Sequence, residues 1–221
     1  MDFPWPWNRK YTMNWFLLSL LNHHLDQLLE RYSRLQPLRL DVFYQNDTWR
    51  YNHHGWYETE REVRQLTEHL MSESNIVGHF WVLECTSRHK CHAHIVMYLD
   101  GHHNQATFPV AEQAGTAWQK ITQGEGYHNR CDRKKCYEAD ITRPVNYDDA
   151  AAIDNLRYII SYLAKEKSKH GRLTTGPARY HPPVDWADRE GFDRTTHFFT
   201  SVPVVMPEKA TVIHHTTPVL T

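Results

Sequence analysis

Two β-rich runs joined by a short polar connection constrain this chain more than any other feature. Phe80-Trp81-Val82-Leu83-Glu84-Cys85 and His92-Ala93-His94-Ile95-Val96-Met97-Tyr98-Leu99 flank Ser87-Arg88-His89-Lys90. Aromatic and β-branched residues suit a pleated, half-buried surface, so the pair reads as a β-hairpin. Residues two apart in a strand share a face, which puts His92 and His94 side by side. Whether Glu84 joins them depends on the turn. With an odd loop, Ser87-Arg88-His89, Thr86 faces Lys90 and Glu84 lies opposite His92 on the same face. An even loop turns Glu84 to the other face.

A carboxylate and two imidazoles around one point, with coordination positions left open, suit Mg²⁺ or Mn²⁺ contacting a phosphate better than a closed structural zinc. The histidine pair alone says little. With 17 histidines in 221 residues, about one His-x-His pair is expected by chance, and two polar residues on a wet strand face would look the same.

Hydrophobic spacing lays out the rest as an α+β chain. Leu17, Leu20, Leu21, Leu25, Leu28 and Leu29 recur at helical intervals, predicting an amphipathic helix over residues 13–34 that Pro37 stops. Residues 38–44 read as a strand ended by Asn46-Asp47. Helices are expected over residues 59–72, with Val63, Leu66 and Leu70 on one side, and over 110–122. An irregular basic segment then leads to a strand near residues 137–141. The last helix is expected over 147–169, capped by Asp148 or Asp149 and basic at its end, as suits the helix dipole. After Gly171 the chain turns loop-like, with a Pro-rich tail from Pro203.

In that last helix Tyr158, Tyr162 and Lys165 fall along one face. The plain reading is a pair of core aromatics with a snorkelling lysine. The chemical one is a nucleophile. A tyrosine hydroxyl, titrating at about 10, attacks a phosphodiester only if a cation polarises the phosphate, so the tyrosines and the metal set make chemical sense together.

Lys plus Arg number 25 against 26 Asp plus Glu, so net charge makes no general case for a nucleic-acid partner. Any such case is local. Residues 58–74 are acid-rich and read as a solvated helix face. Between residues 157 and 179, Arg157, Lys165, Lys167, Lys169, Arg172 and Arg179 face only Glu166, which suits phosphate oxygens or a plain solvated face equally.

The cysteines, Cys85, Cys91, Cys131 and Cys136, are too few for a disulfide scaffold and fit reduced thiols in a cytosol. Cys131 and Cys136 near His128 have spacings compatible with a zinc knuckle, but a clear fourth ligand is lacking. The apolar run Trp15-Phe16-Leu17-Leu18-Ser19-Leu20-Leu21 is far short of a membrane span and precedes no small-residue cleavage site. A soluble cytoplasmic protein without a membrane partner is expected. Phosphate-binding Gly-x-x-x-x-Gly-Lys, His-Glu-x-x-His and Pro-Cys-x-x-Cys patterns are absent, which removes the nucleotide-hydrolase, zincin and deaminase readings.

His92-Ala93-His94 followed by Ile95-Val96 resembles the His-hydrophobic-His strand of the HUH endonucleases, and residues 157–165 resemble their tyrosine helix. The order of parts is an Arg39-Leu40-Asp41 strand, the metal hairpin, a helix containing Trp118 and then Tyr162-Leu163-Ala164-Lys165. It is similar to the inovirus-type, YagK/YfjJ-like replication initiators, over roughly residues 37–180. The resemblance implies a palm-like antiparallel sheet of about five strands flanked by helices. It also implies a division into an N-terminal amphipathic helix (1–36), an HUH endonuclease domain (37–185) and a C-terminal extension (186–221).

The activity it implies is rolling-circle initiation. Tyr162 cuts single-stranded DNA at an origin, forms a 5′-phosphotyrosine and leaves a 3′-hydroxyl for a host polymerase, and the reverse reaction rejoins the strand. Glu84, His92 and His94 are then expected to hold Mg²⁺ or Mn²⁺ and Lys165 to help neutralise the phosphate, while the local charge segregation puts Arg157, Lys167, Lys169 and Arg172 in contact with DNA. Tyr158 matches the extra tyrosine of two-tyrosine relatives. Ser161 stands where some of these carry lysine, so Tyr158 is left open between second nucleophile and packing residue. No helicase motif is present, so any unwinding falls to a host helicase. The alternatives are a relaxase or transposase of the same class and a non-catalytic nucleic-acid-binding regulator.

Overall fold

The computed structural model describes residues 4–131 and 139–166, together with the backbone of 198–200. Its architecture is α+β: an antiparallel sheet flanked by helices on both faces. The first helix, α1 (Trp15–Leu29), is capped by Asn14, whose side chain accepts the Leu17 N–H at 3.0 Å, and it buries Leu17, Leu18, Leu21, Leu25 and Leu28. It ends well before Pro37, because the leucine spacing lapses after Leu29. Strand β1 (Arg34–Tyr44) is already under way there, with Pro37 inside it.

A proline in a strand forfeits one ladder donor. Here the loss is small: β1 pairs with β5 (Val145–Asn146) at Arg34 and Leu35 and with β4 (Gly126–Arg130) only from Leu40 onward. Pro37 falls in the gap between them. β4 also replaces the expected strand near 137–141: residues 139–141 are not a strand, and 137–138 lie outside the described residues. Its polar sequence hides it, yet Gly126 lets it lie against Trp118 and Thr122 of the helix behind.

After the short α2 (Trp49–His53), α3 (Trp56–Glu73) starts three residues before its expected bound, with the Glu58 carboxylate accepting the Gly55 N–H at 3.0 Å. The hairpin is β2 (Ile76–Thr86) and β3 (Lys90–Asp100), and α4 (Phe108–Ile121) follows. Sheet order is β4-β1-β3-β2-β6, where β6 (Phe198–Thr200) lies beside β2 and β5 pairs with the start of β1.

Alternation sorts the strands onto two cores. On one face Leu38, Leu40, Val42, Leu83, Ala93, Ile95 and Met97 pack against α3 and α4. On the other, Phe80, Val82, Val96 and Tyr98 pack against α1 and α5 (Ala150–Ile160). Gly78 allows the close approach of α1, since a Cβ there would sit 2.9 Å from Leu28. The α1–α5 layer thus covers one end of its face, and the polar residues of the hairpin lie on the rest.

Two expectations need correction here. Asp149 caps α5, accepting the Ala152 N–H at 3.0 Å, but α5 stops at Ile160 and the chain tightens into a 3₁₀ turn over Ser161–Ala164. Lys165 then forms an isolated antiparallel bridge with Met13, so the chain has left helix there. Second, Cys85 and Cys91 are joined as a disulfide rather than left as thiols. Their pairing follows from the register, which sets them directly opposite each other at a Cα separation of 4.0 Å on the face away from His92.

Of the zinc-knuckle residues, His128 packs against Gly115 of α4 while Cys131 reaches toward Asp41 on the opposite face, and Cys136 lies outside the described residues. No helix among the described residues is long and apolar enough to cross a membrane.

Candidate functional site

The turn of the hairpin has three residues, 87–89, with Thr86 opposite Lys90 and Glu84 opposite His92. Glu84, His92 and His94 therefore share a face, and one ligand atom from each lies within 4.8 Å of the others. His94 Nε2 is 3.3 Å from one Glu84 oxygen and His92 Nε2 is 3.7 Å from the other.

The second nitrogen of each ring is also accounted for. His92 Nδ1 lies 3.1 Å from the Lys90 carbonyl, which can only accept, so this nitrogen donates and Nε2 carries the lone pair. His94 Nδ1 donates to Asp41 Oδ1 at 2.7 Å, leaving its Nε2 toward Glu84. Burial, reinforced by the neighbouring His94, lowers His92 to about 4, against the opposing pull of the Lys90 carbonyl and Asp41. It is neutral at physiological pH, the form that binds a metal. Burial pushes Asp41 up, but the hydrogen bond from the His94 ring, the charge of Arg39 and the Cys131 thiol outweigh it and hold the carboxyl well below the usual carboxylate range. A carboxylate behind a histidine of this kind orients the ring toward a metal. The donor set of two imidazole lone pairs and one carboxylate fits a divalent cation.

Tyr162 lies beside this set. Its ring meets His94 edge-on at 5.8 Å, the Arg39 guanidinium sits 4.5 Å over it, and Lys165 Nζ donates to its hydroxyl oxygen at 2.5 Å. The 3₁₀ turn explains the last contact, because side chains three apart eclipse in that geometry. The same tightening moves Tyr158 off the face it was expected to share. Two α-helical steps followed by two 3₁₀ steps leave an offset of about 80°, twice the roughly 40° of a continuous α-helix. Tyr158 lines a groove with Trp7, Asn8, Arg9 and Lys10 instead.

The other expected DNA contacts divide as well. Arg157 is only 8 % exposed and its guanidinium is bound to Asn22 at 2.8 Å and Asp26 at 2.5 Å, tying α5 to α1. It is a structural cation rather than part of an open basic face. Lys167, Lys169 and Arg172 lie outside the described residues.

Sequence reasoning assigned no role to Asp41, Arg39 or Phe43. Alternation along Arg39-Leu40-Asp41-Val42-Phe43 is the signal that could have found them, since it puts all three on the face of the histidines. Phe43 stacks on His92 at 5.0 Å and, on its other side, on Tyr127 of β4 at 5.1 Å. Tyr11 meets Tyr162 edge-on at 5.6 Å. A row of rings thus crosses the sheet from Tyr127 through Phe43, His92, His94 and Tyr162 to Tyr11.

Compared with known proteins, this chain matches no protein-family model, no curated protein and no solved structure.

Proposed function

We propose that this chain is a metal-dependent endonuclease of the HUH class that nicks and rejoins single-stranded DNA through Tyr162, and so initiates rolling-circle replication. The observation that carries the reading is the position of Tyr162. Its ring packs against His94, a member of the metal-binding set, while its hydroxyl oxygen is held by a lysine cation. The sheet with helices on both faces is compatible with the HUH palm.

A Mg²⁺ or Mn²⁺ ion held by Glu84, His92 and His94 would polarise the scissile phosphate. The remaining work falls to the side chains. The Lys165 ammonium donates to the Tyr162 oxygen and stabilises it as the phenol proton leaves to solvent. The oxygen attacks phosphorus, a Tyr–O–P bond forms, the P–O3′ bond breaks, and the departing oxygen takes a proton to become the free 3′-hydroxyl. The phosphotyrosine bond conserves the energy of the broken one, so a returning 3′-hydroxyl reverses the step. Tyr158, lining the groove with Trp7, takes no part in this scheme, which uses a single nucleophile.

The test is covalent capture. A labelled single strand carrying the origin, incubated with Mn²⁺, is expected to yield a protein–DNA adduct mapped by mass spectrometry to Tyr162, and Tyr162→Phe abolishes it. An adduct that survives Tyr162→Phe and disappears with Tyr158→Phe would exchange their roles. Cleavage unaffected by either change would instead assign the metal set to activating water.

A further inference from the structure

The segment leading into the first turn of α1 reads Trp5-Pro6-Trp7-Asn8-Arg9-Lys10-Tyr11-Thr12-Met13-Asn14-Trp15-Phe16, rich in aromatics, with two adjacent cations and no acid. Such a stretch ordinarily packs its rings into a core. Met13 does, but Tyr11 is 40 % exposed, Trp15 49 % and Phe16 48 %, and Arg9 and Lys10 are exposed as well. Trp7 and Trp15 meet edge-on at 5.4 Å with the Arg9 guanidinium 5.3 Å over Trp7. Beside them runs a groove of about 430 Å³ lined by Trp7, Asn8, Arg9, Lys10 and Tyr158.

This surface is zipped to the Tyr162 turn. The Asn8 N–H donates to Ser161 Oγ at 3.0 Å, the Asn14 N–H to the Ala164 carbonyl at 2.8 Å, and the Glu166 N–H to the Thr12 carbonyl at 2.6 Å. Lys165 Nζ lies 5.7 Å over Tyr11, whose ring also touches Tyr162. The exposed rings and cations therefore form one strip that ends at the tyrosine hydroxyl. Rings interleaved with cations match a flexible single strand, because every base offers a face for stacking and every linkage a negative charge.

Resting on the nicking reading above, we propose that the segment from Trp7 to Trp15 is the lane for single-stranded DNA on one flank of the scissile phosphate. Bases stack on Trp7, Tyr11 and Trp15, and Arg9 and Lys10 hold the backbone. The lane follows Tyr162, so any shift of the segment moves nucleophile and strand together.

The experiment uses the full chain, the double variant Arg9→Ala/Lys10→Ala, and Trp15→Ala. Trp15 is replaced rather than Trp7, whose ring also packs on the α1–α5 core. The probe is a labelled oligodeoxythymidine of about 16 nucleotides, with 5-iododeoxyuridine in a second copy for photocrosslinking. Trp15→Ala is expected to weaken binding about 5- to 100-fold, the range for losing one stacked base. The double variant should lower the salt slope of log K by about 1.4, as for two lost single-strand phosphate contacts. Circular dichroism should show both variants folded, and crosslinks should map to residues 7–15.

Wild-type affinity in both folded variants, or crosslinks confined to the Tyr127 side of the sheet, overturns the lane. Binding of these residues to anionic vesicles but not to the oligonucleotide overturns it equally. Because Tyr162 adduct formation is scored separately, binding through residues 7–15 with no adduct would sustain the lane while ending the nicking reading.

Discussion

Asp41 accepts the Nδ1 proton of His94 at 2.7 Å and so decides which nitrogen of that ring faces Glu84. It also lies 3.5 Å from Arg39, whose guanidinium covers the Tyr162 ring. One carboxylate thus orients a histidine of the candidate metal set and steadies the cation over the Tyr162 ring.

Asp41→Ala is expected to weaken Mn²⁺ binding about 10- to 100-fold, the usual cost of removing such a supporting group. Asp41→Asn, which keeps an acceptor oxygen, should lose less. Isothermal titration with Mn²⁺ measures both, and equal affinity in wild type and Asp41→Ala would sink the orienting role.

Lys165→Met removes the cation at the Tyr162 oxygen and over the Tyr11 ring while keeping an unbranched side chain of similar length. The rate of adduct formation should fall about 10²- to 10³-fold, as when a preorganised charge-stabilising donor is lost. Single-turnover kinetics with saturating strand separates this from weaker binding. Lys165→Arg should recover part of the rate, and a Met variant of undiminished rate would leave the lysine with packing alone.

Folding stability should fall on acidification through three buried histidines, His92 in the site and the pair His24 in α1 and His79 in β2. Burial and the charge of His79 lower His24 from 6.5 to about 3, and burial lowers His79 to about 4. Both are neutral when folded and take up protons more readily when unfolded. Their stabilisation is therefore full above about 6.5 and is lost as pH falls toward about 4 for His79 and about 3 for His24, at roughly 2 kcal/mol for each group by pH 5. Urea melts at a series of pH values report the slope, and His24→Leu should flatten it by about a third, because His79 and His92 still contribute. An unchanged slope would mean that other groups govern the acid limb.

The Cys85–Cys91 disulfide closes the hairpin over a sequence separation of 6, and a loop this short contributes on the order of 2 kcal/mol by restricting the unfolded chain. Dithiothreitol, or Cys85→Ser/Cys91→Ser, should lower stability by about that amount in denaturant melts. Mn²⁺ binding should persist, because the β2–β3 ladder from Ile76 to Thr86 sets the Glu84–His92 register independently of the bridge. Loss of the metal site on reduction would show that the bridge, not the ladder, holds the register.

The Glu84–His92–His94 cluster was legible up to the choice of turn length, because strand period is a local property. An odd loop after Thr86 was enough to bring Glu84 to His92, and the same register, followed one step further, would have paired Cys85 with Cys91. The tyrosine side was harder to read. Residues 161–164 continue a helical pattern, and only the backbone bonds from Asn14 and Glu166 show where the helix ends. Arg157 illustrates a second blind spot: in a run of cations, sequence alone does not distinguish the one buried against Asn22 and Asp26. β4 stayed hidden because Gly126-Tyr127-His128-Asn129-Arg130 owes its strand to pairing with β1 rather than to its own composition.

The bond from Asn8 to Ser161 spans 153 positions, whereas the hairpin holding Glu84 and His92 closes over three. Loop-closure entropy favours the short connection first, so the hairpin can zip while the tyrosine turn still lacks its seat. The order of assembly then becomes a safeguard. A partly folded chain can gather its metal ligands, but on the proposed reading it acquires a cutting nucleophile only when segments 153 positions apart have met.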